Sequence, residues 1–152
     1  MTWYELLKTL HVLAIAGWFG SGLAIVVIGI RTLAAGKGPF SAFALQAGWW
    51  AGKAHPAAGI VLLLTGFAMV ADADISMGEP WISIALVGLI AAMGVGGALI
   101  GRTSTKLTAG IQARGEIDDE GVADARRLLL YSRIELAILV LVVADMVAKP
   151  GA

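Results

Sequence analysis

The chain has 152 residues, 59% of them hydrophobic and only 14% charged, and its mean hydropathy is +0.85. That is too apolar for an ordinary soluble domain and points to a small polytopic membrane protein. A formal net charge of zero gives no footing for nucleic acid, and the lack of any cysteine removes disulfides, iron–sulfur clusters, thiolate metal sites and thiol catalysis.

The first apolar stretch runs from Tyr4 to Arg31 and carries no formal charge between Lys8 and Arg31. Roughly 20 apolar residues suffice to cross a bilayer as a helix, so a span over about 4–31 is expected. It contains His11, and an ionisable ring at membrane depth is a site candidate by default. At helical periodicity His11, Ala14, Gly17, Trp18, Ser21 and Gly22 share one side, while Val12, Ala16, Phe19, Leu23, Val27 and Ile30 share the other. The second set is a lipid face; the first, small and polar, points inward against helices or a flat ligand. With no basic region ahead of it and more length than a signal sequence, this span is expected to be retained as an anchor.

After Arg31, the residues Gly36, Gly38 and Pro39 punctuate a turn. From Phe40 to Lys53 the aromatic content and the paired Trp49 and Trp50 suit a membrane interface, so an interfacial helix that runs into the second span is expected there. The second span, about 54–72, contains His55 followed at once by Pro56, which places His55 at a helix start or a kink. An acidic connection with Asp72, Asp74 and Glu79 leads to the third span, about 81–101. In it Gly88, Ala92 and Gly96, and likewise Gly97 and Gly101, recur at four-residue spacing as close-packing surfaces. Residues 102–127 read as a polar cytoplasmic hairpin whose cluster of Glu116, Asp118, Asp119 and Glu120 favours a helix start and matches no calcium-loop spacing. The fourth span is expected over about 128–148.

Basic residues set the orientation. Arg31, Lys37 and Lys53 fall between spans one and two, and Arg102, Lys106, Arg114, Arg126 and Arg127 between three and four, whereas none falls between two and three. The expected fold is all-α: one domain, residues 1–152, forming an antiparallel four-helix bundle integral to the cytoplasmic (inner) membrane with both termini outside.

On the fourth span Tyr131, Glu135, Asp145 and Lys149 share a face with Ile138 and Val142, a polar stripe for the bundle interior in which Lys149 is expected to pair with Asp145. Arg133 lies off this stripe and snorkels to the inner boundary. Counting rise per residue puts His11 level with Asp145 and His55 level with Glu135, two histidine–carboxylate layers. Two histidines on adjacent helices also suggest axial ligands of a b-type haem. The same count separates them by about 20 Å, or roughly 10 Å if the second helix begins near Ser41, too far to share one iron. A single-histidine haem stays open, with His11 as the first candidate ligand and His55 as the second. Ser21, His11 and Asp145 supply the letters of a catalytic triad without a nucleophile elbow, and the scattered methionines read as packing residues.

The run Lys8-Thr9-Leu10-His11, followed by Trp18 and Gly22, resembles the first helix of several small bacterial membrane families. These are the HemJ type of protoporphyrinogen oxidase, the copper-resistance protein D family and an uncharacterised integral-membrane family, the last being most similar in length and pattern. Arg133, Glu135 and Lys149-Pro150 are similar to the closing segment of the HemJ group. That resemblance implies a haem-binding four-helix protein acting on a porphyrinogen, with His11 at the matching histidine; the copper-resistance resemblance implies metal handling. Three functions therefore stand as expectations: haem-associated redox or haem handling, proton- or metal-coupled transport, and an accessory subunit of a membrane complex. The lipid bilayer is the expected partner, with homo-oligomer and partner subunit both open, and no enzyme activity is assigned.

Overall fold

A computed structural model describes residues 1–150, with the Trp49 side chain left out. Four long helices make up the chain: α1 over Trp3–Ala35, α2 over Lys37–Asp72, α3 over Pro80–Arg114 and α4 over Asp119–Ala148. The first three are each long and apolar enough to cross a membrane; α4 is set apart by Arg133, Glu135 and Asp145 in its apolar half.

Local chemistry places each end. Thr2 caps α1 in a reciprocal box: its hydroxyl accepts from the Glu5 N–H at 3.2 Å while the Glu5 carboxylate accepts from the Thr2 N–H at 2.7 Å. The turn expected around residues 31–39 is a single residue, Gly36, whose φ of 129° closes α1 and opens α2; a side chain is strained in that backbone region. Pro80 sits in the first turn of α3, where its missing N–H costs nothing. Asp118 caps α4 by accepting from the Gly121 N–H at 2.8 Å, and that bond holds its carboxyl below the usual carboxylate range.

Several expected boundaries are corrected. The helix expected over residues 40–53 does run into the second span, as one unbroken α2 from Lys37, so Lys53 and His55 both lie well inside it and the second span has no separate helix start near residue 54. The expected interface ring of Trp49 falls outside the described side chains. The polar hairpin of 102–127 is mostly helix, with only residues 115–118 between α3 and α4. The reason is the same in both places. At roughly 1.5 Å per residue the helices are about 45–54 Å long, well beyond the ~30 Å hydrocarbon thickness, and their Gly36 ends continue as a bundle held by soluble-protein chemistry. There Phe40, Ala44, Leu107, Ile111, Ile117 and Ala125 form a compact apolar core. Around it Lys106 pairs with Glu120 and buried Asp124 at 2.7 Å each, Lys37 with Asp119 at 2.8 Å and Arg114 with Asp118 at 3.2 Å. The Ile117 N–H donates to the Ser41 hydroxyl at 3.0 Å and ties the α3–α4 connection to α2.

The half of the bundle away from Gly36 is inverted. Leu13, Leu23, Leu64, Val87 and Leu141 are exposed while His55, Thr65 and Glu135 are buried, the distribution of a protein solvated by lipid. Partner positions between neighbours change in opposite directions. His11 meets Thr65 and Ser21 meets His55 across α1 and α2, Gly22 meets Leu136 and Gly29 meets Leu129 across α1 and α4, and Gly88 meets Val142 and Gly96 meets Glu135 across α3 and α4. Gly59 of α2 faces Met93 of α3, completing the ring of contacts with a thioether that fills space without demanding shape. The central core takes Trp18 from α1, Leu62 from α2, Leu89 and Ala92 from α3 and Leu139 from α4.

Residues 95–101 of α3 form a π-helix, VGGALIG. This locally rewound turn explains a split among the expected glycine contacts. Gly88 and Gly96 face α4 as close-packing positions, with Ala92 fully buried between them. Gly97 meets nothing and Gly101 meets only the Gly96 carbonyl, so within the described chain that second repeat packs against no other helix.

Candidate functional site

The interior polar groups form two layers separated by the central apolar core. In the first, His55 is buried on α2, seven per cent exposed, and its Nε2 lies 3.0 Å from the Ser21 hydroxyl of α1. It is therefore a mid-helix interior residue rather than an interfacial one at a helix start, although Pro56 behind it cannot donate to the carbonyl four residues earlier. Ser21 has one hydroxyl proton and sits 2.7 Å from the Gly17 carbonyl. With that proton donated to the backbone, the Ser21 oxygen accepts, which assigns the proton of neutral His55 to Nε2.

Beside His55 stands Trp18, with ring centroids 6.1 Å apart. The Trp18 indole faces Glu135 of α4, whose side chain is two per cent exposed. No hydrogen bond closes between them: Trp18 Nε1 and Glu135 Oε1 are both buried and without a partner. The carboxylate is seated against Gly96 in the π-helix, where an added Cβ would come within 2.6 Å of Oε1. Glu135, His55, Ser132 and Ser104 all line one small cavity of about 30 Å³, room for about one water molecule. Sequence reasoning placed Glu135 and His55 at one depth; it missed Trp18 and Ser21 as the groups between them and missed Gly96 as the seat.

In the second layer His11 Nδ1 lies 2.8 Å from the Thr65 hydroxyl, which itself donates to the Val61 carbonyl at 2.6 Å. The same proton count makes Nδ1 the protonated nitrogen of neutral His11 and leaves Nε2 as the acceptor. The ring lies over Gly66, 3.5 Å from where a Cβ would stand. Extending the α1–α4 pairing outward from Gly22 and Leu136 puts Asp145 close to the level of His11. The two do not bond: His11 is turned to α2, and Asp145 Oδ2 is buried without a partner. Nor does Lys149 pair with Asp145. Its ammonium lies 5.3 Å from the centre of the Trp81 ring, because the left-handed backbone at Lys149 swings it toward α3. Tyr131 is half-buried and does not line the cavity beside Glu135. Ser21, bonded to His55, is not part of a triad with His11 and Asp145.

A haem bridging the two histidines does not fit these residues. Thr65 and His55 are ten positions apart on α2, so the layers are separated by roughly 15 Å along the helix. The cavity at His55 is also far below the several hundred cubic ångströms of a cofactor pocket. Among the described residues no three His, Cys, Asp or Glu side chains cluster as a metal site would require.

Residues 5–150 match the family described as Predicted integral membrane protein (DUF2269), and the chain belongs to that family. No curated protein and no solved structure matches it.

Proposed function

We propose, taking a membrane-embedded member of this family as the premise, that the chain is an antiparallel four-helix bundle of the cytoplasmic membrane that works as a small proton-coupled transporter. The basic residues gathered at the Gly36 end support a cytoplasmic address for that end and an outside address for both termini. The observation that carries the reading is Glu135: a buried carboxyl with an unpartnered oxygen, beside an imidazole and a water-sized cavity. An intramembrane carboxyl so placed marks a proton or ion path rather than a packing element. Glu135 and His55 form the inner proton-exchanging layer, and His11 with Asp145 the outer one. Trp18, Leu62 and Leu139 between them act as an apolar gate, so protons cross only when the bundle rearranges.

In proteoliposomes carrying a pH-sensitive dye, Glu135→Gln is expected to reduce proton-coupled flux to the protein-free background. Flux unchanged in both Glu135→Gln and Asp145→Asn would remove the basis of the reading.

A second reading is favoured by one observation at His11. With Nδ1–H committed to Thr65, its Nε2 lone pair has the presentation of a metal-bound histidine, whose other nitrogen is hydrogen-bonded. The HemJ-like first helix points the same way. His11 would hold a single-histidine haem b, which supplies redox chemistry when bound. A Soret band lost in His11→Ala is the expected signature; a colourless protein that gains no Soret band with added haemin counts this reading out.

A further inference from the structure

We propose that the groove between the Gly36 end of α1 and the first turns of α4 binds an anionic phospholipid. The groove encloses about 430 Å³, with Leu33, Leu129 and Leu130 on its apolar side and Lys37, Arg126 and Arg133 on its polar side. Lys37 is already engaged by Asp119. Arg126 and Arg133 have no acidic partner among the described residues. Seven positions apart, they lie on one face of α4 about 10 Å from each other along the axis.

Their depth decides the ligand. Arg126 belongs to the water-facing extension, level with the ion pairs around Lys106. Arg133 is two turns nearer the apolar belt, beside Ile134 on the lipid-facing surface. A guanidinium there needs an anion, and among the described residues no side chain supplies one. A phospholipid headgroup sits at that depth with its phosphate in reach of the planar guanidinium fork, which binds phosphate oxygens in pairs. The leucine wall accounts for the rest of the ligand, since an acyl chain can lie along it and a free phosphate ion gains nothing there. Basic pockets between helices on the cytoplasmic side are where anionic headgroups collect. This site is independent of the Glu135 layer and stands if that transport reading falls.

The test uses the full chain in detergent, with retained lipid counted by native mass spectrometry after titration with phosphatidylglycerol or phosphatidylcholine of identical chains. Phosphatidylglycerol is expected to be retained about thirtyfold more tightly. Arg126→Ala combined with Arg133→Ala should abolish the preference, and Arg102→Ala, outside the groove, should keep it. Equal retention of the two lipids by the unsubstituted protein overturns the proposal without any variant being needed. So does a preference that survives the double substitution, or displacement of the bound lipid by equimolar inorganic phosphate, which would mark a phosphate-only site.

Discussion

Each interior histidine is fixed by a hydroxyl that has already given its proton to the backbone, and this determines which nitrogen is left to act. Ser21 and Thr65 play the same part for His55 and His11 respectively. Ser21→Ala removes the acceptor and leaves the His55 Nε2–H buried and unpaired, at an expected cost of about 1–3 kcal/mol. The imidazole nitrogen-15 shifts of His55 should move in that variant while those of His11 do not; unchanged shifts at His55 would contradict the tautomer assignment. The inward face of α1 was legible in part: Trp18 and Gly22 are buried and Leu23 and Val27 exposed as the helical wheel requires, but Gly17, expected inward, is exposed, and Phe19, expected on the lipid face, packs against the central core. The partners were not legible. Whether Ser21 meets His55 or His11 meets Asp145 depends on register between helices, which a one-dimensional pattern leaves free.

Four helices were evident from hydropathy, and their lengths were not. A span is read where apolar residues run on, so Phe40–Lys53 read as an interfacial helix outside the span and Arg102–Arg114 as part of a polar hairpin, although both continue the long helices α2 and α3. What folds them is the apolar core around Phe40 and Ile111 together with ion pairs to α4, all of them long-range contacts. The π-helix in α3 was likewise invisible as a conformation, although its glycines were conspicuous. Gly96→Ala tests why it is there. The new methyl meets the Glu135 carboxylate in a packed interior, and overpacking of this kind costs about 1–3 kcal/mol. Thermal unfolding in detergent should show the loss, and truncating the opposing side chain with Glu135→Ala in the same background should restore part of it. A Gly96→Ala protein as stable as the parent would mean that the seat is not tight.

At the scale of the molecule, the arrangement is a bundle with an apolar outer surface continued by one laced with ion pairs, and the chain offers a direct means of checking which end faces which side. It has no cysteine, so single reporters can be introduced without background. In intact cells a membrane-impermeant maleimide should label Asp74→Cys, in the α2–α3 connection, and should leave Glu116→Cys, in the α3–α4 connection, untouched until the membrane is opened. The reverse pattern would invert the topology and with it the assignment of inner and outer layers.

Gly36 has a consequence for how the chain divides its polar groups. With one residue between Ala35 and Lys37, α1 and α2 are joined without a loop. The two are clamped into an antiparallel hairpin, and the hydroxyl–histidine pairs along their seam are bonds that this hairpin closes without help from α3 or α4. The N-terminal half of the molecule therefore holds both histidines with their hydroxyl partners, and Glu135 is contributed by the last helix.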